Sequence, residues 1–114
     1  MTKYLADQSD AGEERFVFAY TITITNRRSD SAQLLNRHWV ITDATGGVEE
    51  VRGEGVVGHQ PDLAPGESFE YTSGAVLKTP VGTMEGCYEF TDGQGGRFSA
   101  AIAVFSLSVP NLVH

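Results

Sequence analysis

The sequence predicts an all-β chain, folded as an antiparallel sandwich or barrel. Three observations predict it. Apolar and polar residues alternate with period two along most of the chain, which is the spacing of half-buried strands. Clusters of Gly, Pro, Asn and Asp punctuate the chain at intervals of roughly ten residues, as turns between short strands do. No i, i+3, i+4 apolar stripe persists for three turns, so no amphipathic helix is expected.

From Phe16 to Thr25 the even positions are Phe16, Phe18, Tyr20, Ile22 and Ile24, and Thr21, Thr23 and Thr25 alternate with them. β-Branched and aromatic residues in that pattern fit a half-buried strand. Asn26 to Ser31 is a polar turn. A second strand runs from about Leu34 to Thr42, with Leu35, Trp39 and Ile41 on one face. Arg37 shares that face, so it must sit near the rim, pair with an acid or mark a twist. Asp43-Ala44-Thr45-Gly46-Gly47 has hairpin-loop chemistry, and Val48 to Arg52 reads as the return strand. Leu63-Ala64-Pro65-Gly66 is a turn, and its spacing to Phe69 is common in fibronectin-type domains before a sheet crossing. Phe69 and Tyr71 alternate in one strand; Met84, Gly86, Tyr88 and Phe90 alternate in another. After the turn Asp92 to Gly96, Phe98, Ala100, Ile102 and Val104 share a face, and Phe105, Leu107 and Val109 continue on odd numbers. A parity change within one apolar segment predicts a bulge near Ala103 to Phe105.

Length and charge bound the rest. The 114 residues make one domain, taken as 1–114. Fifteen Asp and Glu against eight Lys and Arg give a net charge of −7. That field repels phosphate backbones and anionic lipid, so neither nucleic acid nor membrane is an expected partner. No apolar run reaches the length of a membrane span. Met1 to Glu14 carries four acids and no apolar core of signal-peptide type, so a cytoplasmic location is the expectation. The single cysteine, Cys87, excludes an intramolecular disulfide.

Gly53-Glu54-Gly55-Val56-Val57-Gly58 reads G-x-G-x-x-G. That string cradles a pyrophosphate when a strand precedes it and a helix comes after it. Pro61 and Pro65 stand where the helix would be, and each removes a helix donor. Two readings remain. The glycines serve bends and close backbone approach at a sheet edge. Alternatively, their N–H groups form a nest for an anion with Arg52 beside it, making Arg52, Gly53, Gly55 and Gly58 a candidate site for a phosphate-containing small molecule.

Catalytic signals are missing. His38, His59 and His114 lie at no metal-ligand spacing from one another. Cys87 is flanked in phase by Glu85 and Glu89, which disfavours a nucleophilic thiolate. No G-x-S-x-G elbow occurs. Glu49 and Glu50 point to opposite faces of a strand and cannot converge on one atom. The expectation is a non-enzyme with no cofactor and no metal.

Taken together, the segments resemble the ApaG family. The resemblance runs through Tyr4-Leu5, Phe18 to Ile24, Leu34 to Trp39, Ile41 to Asp43, Glu50 to Pro61, Pro65 to Glu67, Tyr71 to Gly74 and Thr79 to Met84. It implies a fibronectin type III/immunoglobulin-like antiparallel β-sandwich without established enzymatic activity. Bacterial members are associated with cobalt resistance and magnesium efflux. Related domains occur in F-box proteins and in a DNA-polymerase-interacting protein, which implies protein binding. The partner surface expected on that basis is Arg37, Tyr71, Ser73 and Gly74 together with Arg52 to Gly58. The chain departs from the family pattern at two places. Proline is frequent where Ala103 stands, and a leading strand usually precedes Tyr4. Its apparent absence would leave an open sheet edge, inviting a homodimer.

Trp39 is expected between the sheets. Trp39→Ala should then lower unfolding free energy by roughly 3–5 kcal/mol, read from the denaturant midpoint; an unchanged midpoint would refute the placement.

Overall fold

Each alternating stretch is a strand in the computed structural model, which describes residues 1–110. The strands are β1 (Thr2–Tyr4), β2 (Phe16–Thr25), β3 (Ala32–Asp43), β4 (Val48–Glu54), β5 (Asp62–Leu63), β6 (Ser68–Leu77), β7 (Val81–Asp92) and β8 (Arg97–Ser108). Two single-turn 3₁₀ segments, Ala6–Gln8 and Ala11–Glu13, lie between β1 and β2. One sheet has the order β1-β2-β6; the other has the order β4-β3-β7-β8, with β5 also paired to β3. All pairings are antiparallel. The architecture is the sandwich rather than the barrel.

The alternating faces close on each other. Phe18, Tyr20, Tyr71, Ala75 and Leu77 come from the smaller sheet; Leu34, Trp39, Met84, Tyr88, Phe90 and Leu107 come from the larger one. Trp39 is 2 % exposed. Its indole meets Tyr20, Phe105 and Tyr88 edge-on, with ring centroids 5.3, 5.9 and 6.3 Å away, a preferred aromatic geometry. The Tyr71 and Tyr88 hydroxyls hydrogen-bond to each other across the core and tie one sheet to the other. Opposite Trp39 stands Gly86. A Cβ there would lie 1.9 Å from the His38 carbonyl oxygen, so only glycine fits.

Two bulges set the register. Met84 pairs Phe105, but Gly86 pairs Ile102, which leaves an extra residue in β8. This is the bulge that the parity change predicts. The second was not predicted. Leu34 pairs Phe90 and Asn36 pairs Glu89, so Leu35 is the extra residue in β3. The expectation that Leu35 shares the buried face of Trp39 is therefore corrected. Leu34 is fully buried and Leu35 is only half-buried, because the inserted residue flips the parity.

The two expected hairpin loops share one chemistry. Asp43 Oδ1 accepts from the Thr45 and Gly47 N–H groups, both at 2.9 Å. Asp92 Oδ1 accepts from the Gln94 and Gly96 N–H groups, both at 2.8 Å. Hydrogen bonds from the Thr45 hydroxyl and the Gly47 N–H hold the Asp43 carboxyl below the usual carboxylate range. The leading edge also differs from expectation. Thr2–Tyr4 form a strand that pairs with Tyr20 to Phe18, so a short strand does flank β2.

Burial raises the Tyr71 phenol to about 12, and it pushes the Tyr20 and Tyr88 phenols upward as well. Below pH 10 folded and unfolded chains both keep the Tyr71 proton; between 10 and about 12 only the folded chain does. Stability contributed by this burial is therefore lost as pH rises through that window. In an alkaline titration, most phenolate absorbance at 295 nm should appear together with the loss of the far-ultraviolet β signal. Phenolate forming well before the fold is lost would contradict the buried tyrosine pair.

Candidate binding site at the glycine turn

The glycine segment docks on the Leu35 carbonyl, one step beyond the last β3–β4 pair, Asn36 with Glu54. The Gly55 N–H donates to the Leu35 carbonyl at 2.8 Å, and Gln60 Nε2 donates to the same oxygen at 3.0 Å. Two residues on, Arg37 Nη1 donates to the Glu54 and Gly55 carbonyls at 2.8 and 3.0 Å. Between these anchors Val56 is fully buried in the core. Val56 and His59 exchange backbone hydrogen bonds of 2.8 and 2.9 Å. Val57 (φ 44°) and Gly58 (φ 82°) between them are both left-handed. That is a two-residue turn of the I′ type. The chain then runs into β5 rather than into an α-helix.

Each glycine of the string has its own steric reason. Gly53 lies under the Arg37 guanidinium, 2.8 Å from where a Cβ would stand. Gly55 is left-handed, and a Cβ would lie 2.3 Å from the His59 carbonyl oxygen. Gly58 needs only its positive φ, with open space around it. The N–H groups of Gly55 and Val56 are used on Leu35 and His59. A nest at this turn would have to do without them.

The remaining sequence-predicted residues scatter. Arg37 is half-buried, clamps two carbonyls and makes no ion pair among the described residues. Tyr71 is corrected from a surface residue to a core residue, 6 % exposed, because its hydroxyl reaches Tyr88 across the sandwich. Ser73 is half-buried, and Gly74 is exposed. Successive strand residues face opposite sides, so Tyr71, Ser73 and Gly74 do not form one exposed patch.

Arg52 faces away from the turn's clamp. On the outer side of the larger sheet, Arg52, His38, Cys87 and Ala101 stand directly opposite one another across β4, β3, β7 and β8. The first three border an open cleft of about 460 Å³ with Asn36 and Glu89. His38 Nε2 lies 2.9 Å from Glu50 Oε1, and Asn36 Nδ2 donates to Glu89 Oε1 at 2.7 Å. Among the described residues no three His, Cys, Asp or Glu are grouped to hold a metal ion. His59 packs its ring on Phe69, with centroids 5.9 Å apart, and His114 lies outside the described residues. No helix of the described residues is long and apolar enough to cross a membrane.

Sequence reading took in Val57 only as part of the stretch Arg52 to Gly58 and did not single it out. It is 49 % exposed at the tip of the turn. A type I′ turn is normally announced by Asn-Gly; here the dipeptide is Val-Gly, and the valine hid the signal.

The family model for the ApaG domain matches residues 6–92. A Protein ApaG from Thiobacillus denitrificans is 58% identical over 113 residues, covering 99% of this chain and 89% of that protein. This chain belongs to the ApaG family. A Protein ApaG from Pectobacterium carotovorum is 56% identical over 111 residues, covering 97% of this chain and 89% of that one. A crystal structure described as that of a putative ApaA protein from Bordetella pertussis superposes with a TM-score of 0.93 at 52% identity. It covers 98% of this chain and 91% of that chain.

Within this ApaG domain the turn geometry predicts a graded series. Gly55→Ala should cost roughly 2–5 kcal/mol, since it adds a backbone clash to left-handed strain. Gly58→Ala should cost about 1–2 kcal/mol, from strain alone. Equal midpoint shifts in denaturant for the two variants would contradict the docking.

Proposed function

We propose that this ApaG domain is a non-catalytic protein-binding module whose contact point is the glycine turn with Val57 at its tip. One observation carries the reading. A β-branched residue with positive φ is a steric outlier, and strained residues held by an over-determined frame cluster at binding sites. Val57 is such a residue, it is exposed, and Leu35, Arg37 and Val56 fix the backbone beneath it. A preorganised apolar tip loses little entropy on docking. The cobalt and magnesium association of the family would, on this reading, run through a bound partner. The phosphate alternative has less support, because Arg37 turns its donors to carbonyls and Arg52 lies on the other face of the sheet.

Val57→Asn separates fold from function. Asparagine tolerates the left-handed conformation, so the variant should gain about 1 kcal/mol of stability. In quantitative pull-downs from cell extract it should nonetheless lose at least one protein that the unaltered domain retains. An identical set of retained proteins would overturn the proposal.

A further inference from the structure

The opposite edge of the larger sheet carries a second surface. β8 is the last strand in the order β4-β3-β7-β8, and among the described residues nothing pairs with its outer edge. Roughly half of the peptide N–H and C=O groups of such a strand point away from its neighbour. Natural edges are protected by charge, proline, shortness or a bulge. β8 is twelve residues long, and after Arg97 it contains no charged residue and no proline. Its one protective device is the bulge between Ile102 and Phe105.

The side chains on this edge point the same way. Val104 is 59 % exposed. Ile102 and Phe105 line an open cleft of about 440 Å³ with Tyr20 and Ile22 from β2. Phe98 and Ala100 line a smaller one of about 120 Å³ with Ile24. Met1 and Thr2 also border the larger cleft, and Arg28 borders the smaller one with its guanidinium 4.3 Å over the Phe98 ring.

We propose that β8 is a self-association edge: Phe98 to Ile102 pairs antiparallel with the same segment of a second copy. A two-fold axis at Ala100 places Phe98 opposite Ile102 of the other chain, apolar against apolar, and keeps the pairing clear of the bulge. Charge selects the occupant. Two copies each carrying −7 repel, and Phe98 to Val109 is a twelve-residue strip without charge through which they can approach. A strip that is uncharged and apolar is complementary to itself, as an isologous interface requires. The joined sheet would run β4-β3-β7-β8 into β8-β7-β3-β4 and leave a glycine turn at each end. This inference does not depend on what the glycine turn binds.

Sedimentation velocity of the full chain over a wide concentration range tests it. A dimer is expected, and it should tighten as added salt screens the net charge. Ala101 is exposed on the outward face; Ala101→Lys places like charges diagonally across the two-fold and should weaken the dimer by about tenfold or more, with a melting temperature unchanged at concentrations where both chains are monomeric. As a second readout, β8 amides should gain hydrogen-exchange protection with concentration in the unaltered chain. A chain that stays monomeric at every concentration and salt, or a dimer indifferent to Ala101→Lys, would overturn the proposal. So would a monomer that captures a strand from another protein instead.

Discussion

The Leu35 carbonyl, with the Arg37 guanidinium beside it, is the anchor on which the glycine end of this molecule is built. Gly55 falls opposite Leu35 in the same register that pairs Asn36 with Glu54, one step past the end of β4. The Leu35 carbonyl thus faces the chain that leaves β4, where it accepts from both Gly55 and Gln60. Ordinary alternation with Trp39 keeps Arg37 on the inner face, where its guanidinium covers Gly53 and holds two carbonyls. Val56 is then drawn into the core as a plug. A buried backbone group left without a partner costs about 1–3 kcal/mol, so anchor, clamp and plug depend on one another. Only Val57 and Gly58 are left to project.

A string shared with nucleotide-binding loops is thus used for a different purpose. In those loops glycines let N–H groups approach a ligand. Here they let the chain approach itself: one under a guanidinium, one against a carbonyl, one for handedness alone. The difference lies in the segment after Gly58. A helix would align unpaired N–H groups toward the turn, whereas Pro61 and β5 direct the chain back along β3.

Much of this was legible in the residues. The threonine alternation gave β2 its length to the residue, from Phe16 to Thr25. The parity change located the β8 bulge, since a shift in apolar phase has few other causes. The β3 bulge was not legible, because Leu34 and Leu35 are both apolar and either could take the core position. With that phase misassigned, Arg37 could be placed on the inner face but not given a partner. Tyr71 was misread for a related reason: alternation marks which side a residue faces, not how deeply it is covered. Backbone carbonyls as the ligands of an arginine leave no trace in side-chain identity.

Trp39 is the only tryptophan of the chain, and its indole nitrogen is buried with no hydrogen-bond partner among the described residues. It sits at the midline, touching aromatic rings of both layers. Any event that prises the layers apart would let water reach that nitrogen first, and solvent relaxation around an excited indole shifts its emission to the red. The molecule therefore contains its own optical strain gauge, with no label to attach.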